Sequence, residues 1–337
     1  MATSVPPLSP QQEPRRAEVQ SASAVLMIRP ANFGFNPQTA ASNAFQLDPE
    51  AAAPTPGTTP ESLRASEIQS LALREFDRLA ETLKRSGVTV IIAHDTEEPK
   101  KPDAIFPNNW VSFHADGTVV LYPMLALNRR IERRDDIIGD LVAAAGFRTA
   151  RTVDLSHREI LGQYLEGTGS LVLDRVRHVA YANISARTDL DALGDFAQQL
   201  DYDLVTFESA DGAGRSVYHT NVMMAIGSGF SVVCGESISD SIRREAVLST
   251  LESSGREIVD ITLAQMHAFA GNLLELAPPG SKAIALSTTA WESLAPAQRR
   301  TLERHGDIVA ADIPVIERYG GGGVRCMLAE IHLPRRM

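Results

Sequence analysis

The sequence predicts an α/β protein built from five copies of one strand-rich unit closed in a ring, and three observations carry that prediction. Short polar clusters recur, each leading into an apolar strand. Phe106-Pro107-Asn108-Asn109-Trp110 precedes Val111-Ser112-Phe113, and Glu166-Gly167-Thr168-Gly169 precedes Ser170-Leu171-Val172-Leu173. Tyr218-His219-Thr220-Asn221 leads into residues 222–226, Gly271-Asn272 into 273–276, and the run Gly320 to Gly323 with Cys326 into 327–331. The spacing is the second observation: from Asn109 to Glu166, His219, Asn272 and Cys326 the steps are 57, 53, 53 and 54 residues. Helical patterns between the marked strands are the third. No single copy could bury its own apolar face, and closure of five would bring Glu166, His219 and Cys326 to one axis.

Taken in order, residues 1–23 are rich in Pro, Ser, Gln and Ala, with Pro6, Pro7, Pro10 and Pro14, and read as a mobile tail. A single catalytic domain is expected over 24–337. Its first strand is Ala24 to Pro30, and a second loose stretch runs from Ala51 to Pro60. A helix then opens at Pro60 and Glu61, lines one side with Leu63, Ile68, Leu71, Phe76, Leu79 and Leu83, and closes at Gly87. The next strand is Val88 to Ala93. Further helices are expected at Asp189 to Leu200, Ser239 to Ser254 and Pro296 to His305.

Composition narrows the function. Of 337 residues, 44% are hydrophobic and 22% charged, enough for a sizeable globular core. A net charge of −10 and a pI near 5.3 argue against nucleic acid, which needs a cationic footprint. The first stretch has no signal-peptide core and no membrane span, so a cytoplasmic protein with no membrane partner is expected. Two cysteines, Cys234 and Cys326, cannot form a disulfide framework and fit a reducing compartment. No His, Cys and carboxylate cluster has zinc-like spacing, and no glycine-rich segment opens a helix after a strand, so neither a metal nor a nucleotide cofactor is expected. Homo-oligomerisation is left open.

Cys326 is the most informative single residue. Four glycines ahead of it supply no packing, so they serve a backbone that must pass close to something small. A thiol at the loop-to-strand junction can be an aimed nucleophile or a small core residue, and the segment alone fits both. Cys234 follows Ser231-Val232-Val233 in an apolar strand and reads as packing.

The order Phe106-Pro107-Asn108-Asn109, Glu166-Gly167-Thr168-Gly169, His219-Thr220-Asn221 and Cys326 resembles the guanidino-modifying superfamily of arginine deiminases, dimethylargininases, amidinotransferases and succinylarginine dihydrolases. Met27-Ile28-Arg29-Pro30-Ala31-Asn32-Phe33 and Phe106 to Trp110 look most like the arginine deiminase-related citrulline-utilisation hydrolases. The resemblance covers about residues 25–333. It implies a five-bladed α/β propeller, the pentein fold, in agreement with the repeat.

It also implies roles. Cys326 would attack a guanidino or ureido carbon and form a covalent intermediate, splitting one difficult step into two. His219, which in isolation would more often be structural, would be the general acid and base. Glu166 would orient His219 or hold substrate nitrogens. Arg187, and Arg129 or Arg130, lie where relatives carry carboxylate-binding arginines, although Arg129 to Arg134 could equally form a solvated basic face. Asn36 and Asn43 would line the pocket, and Asn108 would do so or be a turn residue. Arginine deiminases carry aspartates at the positions of Asn109 and Asn221, where they pair with the guanidinium. Amides there suit a neutral ureido group, since an aspartate facing it would be an unpaired buried charge. The succinylarginine dihydrolases, however, use asparagine and act on a guanidino group. The expected function is hydrolysis of a small amino-acid substrate, citrulline, to ornithine, carbon dioxide and ammonia. The alternatives are an arginine-type deiminase, dihydrolase or amidinotransferase, or a catalytically silent module that binds arginine or citrulline.

Overall fold

The computed structural model describes residues 18–49 and 64–336. It contains five three-stranded sheets of one design. In each, a short strand pairs antiparallel with a middle strand, and a helical crossover brings a third strand back parallel on the other side. The first sheet joins β1 (Ala24–Arg29) in parallel to β2 (Thr89–His94) through α1 (Ala65–Arg85). In the second, β3 (Val111–Phe113) and β4 (Thr118–Leu121) form a hairpin, and α2 (Asp135–Ala143) leads to β5 (Arg151–Asp154). The third contains β6 (Leu171–Asp174), β7 (Val179–Asn183), α3 (Leu190–Leu200) and β8 (Asp203–Phe207). The fourth contains β9 (Met224–Ile226), β10 (Phe230–Val233), α4 (Ser241–Ser253) and β11 (Glu257–Asp260). The fifth contains β12 (Leu274–Leu276), β13 (Ala283–Ser287), α5 (Pro296–His305) and β14 (Asp307–Ala311). The antiparallel strand missing from the first sheet comes from the other end of the chain. β15 (Ala329–Glu330) pairs with β1 in the register Val25 to Glu330 and Leu26 to Ala329.

Local chemistry explains the crossover helices. In α1 the buried positions Ile68, Ala72, Phe76, Leu79 and Leu83 recur at helical spacing. Asp189 and Asp240 accept the first free N–H groups of α3 and α4 and start both helices. Four apolar clusters then join the sheets in succession. One links the first sheet to the second through Leu26, Trp110 and Val119, and one the second to the third through Val120, Leu171 and Ala180. The largest spans the third, fourth and fifth through Tyr181, Val232 and Ile284, and the last joins Leu276 and Ala285 of the fifth to Val25 and Met27 of the first.

Several expectations are adjusted. Residues 18–23 do not belong to a mobile tail: Gln20 and Ser21 are buried, Gln20 donates to the Leu173 and Ile226 carbonyls, and Ala22 accepts from Ala277. The rest of the expected tail, the loose stretch Ala51 to Pro60 and the start of the first expected helix lie outside the described residues. The second unit has a crossover helix, α2, that the sequence pattern does not single out. Arg129 to Arg134 form no solvated helix face, because Leu127–Arg130 is a single turn with Arg129 buried. The strand expected at 327–331 shrinks to Ala329–Glu330, since Val324–Met327 is a helical turn. Cys234 is buried in the core, and burial pushes its thiol up to about 11.

Candidate active site

A short helical turn precedes an antiparallel strand in four of the five sheets: Pro107–Asn109, Gly167–Ser170, Thr220–Met223 and Val324–Met327. These turns carry or adjoin the marked polar residues. They converge on a narrow cavity lined among others by Asn109, His219 and Cys326 together with Gly320, Gly321 and Gly322.

Glu166, at the head of its turn, is fully buried, and its Oε2 lies 2.9 Å from His219 Nε2. Leu125 N donates to the other oxygen at 3.1 Å. Burial alone would raise this carboxyl, but Arg187 at 3.2 Å, the bond to His219 and Arg129 at 3.7 Å outweigh it and hold Glu166 well below the usual carboxylate range. An ionised carboxylate only accepts, so His219 Nε2 carries the proton and Nδ1 is the free base. Burial lowers His219 to about 4, against the pull of Glu166. Gly169 makes room for that nitrogen: a Cβ there would stand 2.7 Å from His219 Nδ1 and 2.4 Å from Asn109 Nδ2.

Cys326 is 4% exposed and faces the same cavity. Its sulfur accepts from Asn272 Nδ2 at 3.2 Å and from Asn221 Nδ2 at 3.7 Å. Burial raises its pKa, partly offset by Asn272, Arg325 and Asn221. Burial thus favours the uncharged form of both the Cys326 thiol and the His219 imidazole. The glycine run lets the backbone approach its neighbours: Gly321 has φ +63°, and a Cβ there would stand 2.6 Å from Asn43 Nδ2. Asn43 lines the cavity and reaches the Gly320 and Gly321 carbonyls, while Tyr218 donates to Gly321 O at 2.6 Å.

The arginines are arranged otherwise than expected. Arg129 and Arg187 line the cavity, but every guanidinium nitrogen of each already has a partner. Arg129 holds Glu132 through two bonds and donates to Asn109 Oδ1 at 2.9 Å. Arg187 binds Glu166, Ser42 and Thr39 O, and lies 4.9 Å over the Tyr218 ring. These guanidinium groups brace the cavity's own acids and amides. Arg130 does not reach the cavity; it donates to Met124 O and pairs with Glu159. Asn108 is buried but not among the lining residues, and its carbonyl packs against Gly167. Asn36 supports from behind, donating to Asp103 Oδ2 at 2.7 Å.

Two residues had no role assigned from sequence. Asn272 appeared only as a repeat marker, yet it makes the closest hydrogen bond to the sulfur. Its place in the repeat, matching Asn221 and Cys326 in their own copies, was the available signal. Asp103 lines the cavity with Oδ1 buried and without a hydrogen-bond partner among the described residues. It lies outside every repeat motif.

A family model described as N,N dimethylarginine dimethylhydrolase, eukaryotic, matches residues 29–333. The chain belongs to that guanidino-modifying superfamily. Among solved structures it is similar to ArgZ, an arginine dihydrolase from the ornithine-ammonia cycle in cyanobacteria, with 17% identity and a TM-score of 0.67 over 93% of this chain. The chain spans only 41% of that longer enzyme. Against the substrate-bound N-terminal domain of ArgZ it covers 91% of itself and 97% of the domain, at 16% identity and TM-score 0.65. A dimethylarginine dimethylaminohydrolase in adduct with S-methyl-L-thiocitrulline matches at 15% identity and TM-score 0.59, covering 92% of this chain and all of that one. No curated protein matches the sequence. At these identities the structural likeness is one of fold, an α/β architecture shared with pentein enzymes.

Proposed function

We propose that this superfamily member is a cysteine-dependent hydrolase of a linear ureido or guanidino amino acid, with citrulline as its substrate, acting at the axis of a closed five-bladed α/β propeller. The shared apolar cluster between the fifth and first sheets supports closure. The observation that carries the substrate is the orientation of Asn109. Arg129 can only donate, so it fixes Asn109 Oδ1 toward itself and leaves Nδ2 as the amide's free end, buried without a partner among the described residues. A free donor suits a ureido oxygen. A guanidinium offers no acceptor to it.

In this reading Cys326 attacks the ureido carbon, its proton passing to His219 Nδ1. The protonated imidazole, steadied by Glu166, returns that proton to the departing nitrogen and releases ammonia. Water, activated by the regenerated base, cleaves the thiocarbamate, and the resulting carbamate loses carbon dioxide to give ornithine. Asp103 Oδ1 supplies the acceptor for the substrate's ammonium end. Asn221 and Asn272 hold the sulfur as it gains charge.

A second reading, an arginine dihydrolase, is favoured by the raised thiol, because a bound guanidinium would draw its pKa down where a ureido group would not. Both are decided by incubating the protein with citrulline, arginine, agmatine, methylarginines and succinylarginine and measuring ammonia and products. Citrulline should yield ornithine with the highest kcat/KM. Ornithine and two equivalents of ammonia from arginine would establish the dihydrolase, citrulline formed from arginine a deiminase and amidino transfer a transferase, and saturable binding without turnover would make the protein a binding module. In Asn109→Asp the ratio of kcat/KM for citrulline to that for arginine should fall by about ten- to a hundredfold, the worth of about 1–3 kcal/mol for one mismatched buried contact. An unchanged ratio would remove Asn109 from substrate reading.

A further inference from the structure

Glu132 stands outside every repeat motif, one helical turn after Arg129, and has no part in the reaction as described above. It is buried and does not line the cavity. Burial pushes its carboxyl upward, and Asp103 and Glu166, two other acids that face it, push the same way against the pull of Arg129. An ion pair this deeply buried is often no more stabilising than apolar side chains of the same volume, so stability alone does not account for it.

The geometry gives it a use. Its two oxygens take one edge of the Arg129 guanidinium: Nε donates to Oε1 at 3.0 Å and Nη2 to Oε2 at 2.9 Å. A guanidinium is planar, so gripping one edge sets where the third nitrogen points. That nitrogen, Nη1, donates to Asn109 Oδ1 at 2.9 Å and lies 3.7 Å from Glu166 Oε2. The Phe106 and Asp103 carbonyls, at 3.4 and 3.5 Å, add only longer bonds to Nη2. Among the described residues the bond from Nη1 is what distinguishes the two ends of the Asn109 amide, because Nδ2 has no partner. Turned over, the amide would set donor against donor at Nη1 and aim its oxygen at the substrate.

We propose that Glu132 is a specificity-determining positioning residue: by holding the Arg129 fork it fixes the Asn109 amide with its donor toward the reacting group, and so favours a ureido oxygen over a guanidinium. It acts through Arg129 and touches no substrate. The role holds only if Asn109 reads the substrate as proposed above. A glutamine in place of Glu132 has one acceptor where the fork needs two, and its amino group would face an Arg129 N–H. The fork is then released, and the amide can offer its oxygen to a guanidinium.

The test uses the full chain at a pH where Glu132 is ionised, and compares citrulline with arginine. The readouts are kcat/KM for each and, needing no turnover, the protection each gives Cys326 against iodoacetamide, with thermal unfolding to establish that each variant is folded. In Glu132→Gln the ratio of citrulline to arginine should fall about tenfold, the worth of one charge-assisted hydrogen bond. A purely structural role would weaken both substrates together and leave the ratio alone. In the Asn109→Asp background, where no amide remains to be oriented, Glu132→Gln should leave the ratio unchanged. If Glu132→Gln fails to fold, Glu132→Asp, a methylene shorter and less able to span that edge, carries the comparison and should shift the ratio in the same direction. An unchanged ratio in Asn109→Asp itself would overturn the reading of Asn109 and this role with it. A ratio that moves in Asn109→Asp but not in the folded Glu132 variant, or that Glu132→Gln moves equally on both backgrounds, would overturn the role of Glu132 alone.

Discussion

Replacing Asn272 with alanine removes the 3.2 Å hydrogen bond from its Nδ2 to Cys326 Sγ and leaves the 3.7 Å contact from Asn221. The bond matters most once the sulfur is charged, because a hydrogen bond to an ion is worth about 1.5–3 kcal/mol net. At about 1.4 kcal/mol per pKa unit, the thiol should rise by about one to two units. It starts from a value that burial has already raised. The thiolate fraction at a fixed pH below the pKa, and kcat/KM with it, should fall by about ten- to a hundredfold. Asn272 also donates to Asn221 O at 2.9 Å, so Asn221 should loosen and add to the loss. The assay is the pH dependence of Cys326 alkylation by a haloacetamidine, read beside kcat/KM and thermal unfolding. Asn272→Asp, nearly equal in shape, should depress reactivity further, because it sets a second anion beside the thiolate. A folded Asn272→Ala protein whose alkylation profile superposes on the wild type would refute the claim that this amide tunes the nucleophile.

Cys326→Ser should abolish ammonia release and leave the Tm nearly unchanged, since a hydroxyl is close in size and a far weaker nucleophile here; residual turnover at wild-type rate would exclude the thiol. His219→Ala should lower kcat by about two to four orders of magnitude. In the wild type the acid limb of kcat/KM should fall near pH 4, because the lowered imidazole becomes protonated only there, and that limb should vanish in the variant. A limb at the ordinary histidine pKa would show that burial does not govern His219. Glu75→Ala should destabilise the fold by about 1–3 kcal/mol for each N–H left unpaired: Glu75 accepts from Val315 N at 3.0 Å and Ile316 N at 2.9 Å, at the start of the helix that runs into the glycines. Because burial raises Glu75 to about 7 from 4.5, the folded state favours its protonated form, and the wild type's advantage over the variant should shrink as pH rises from 4.5 to 7, as measured by urea unfolding.

The repeat was legible because its turn and strand recur in a conserved chemical form. A polar residue followed by a buried antiparallel strand marks every copy, and the period alone places Glu166, His219 and Cys326 in one region. What sequence concealed follows from contacts that spacing alone does not specify. Arg129 has the right chemistry for a substrate carboxylate, but Glu132, three residues on, and Asn109, twenty residues back, occupy its fork. Arg130, one residue on, faces Glu159. Asp103 stands outside the motifs, and its free oxygen emerges only when Asn36 and Thr39 from the first unit are seen to claim the other. Gln20 and Ser21 resemble their polar, unpatterned neighbours, but the carbonyls and the carboxylate that bury them come from residues over 150 positions away.

The charge distribution around Cys326 argues for one kind of reacting group. The cavity's cations are already matched: Arg187 and Arg129 are tied to Glu166 and Glu132, and burial disfavours charge on the Cys326 thiol and the His219 imidazole. Directly around the sulfur stand two amides, Asn221 and Asn272, and across the cavity a third, Asn109, whose free end is a donor. A site built for a cationic carbon would be expected to set a carboxylate beside the nucleophile, where attraction in a desolvated space is strongest. Here the unpartnered carboxylate oxygen belongs to Asp103, which shares neither turn nor strand with Cys326. A ligand that is neutral at its reacting carbon and cationic at its amino-acid end would satisfy both features at once. A free guanidine would satisfy the second and leave the donor of Asn109 facing donors.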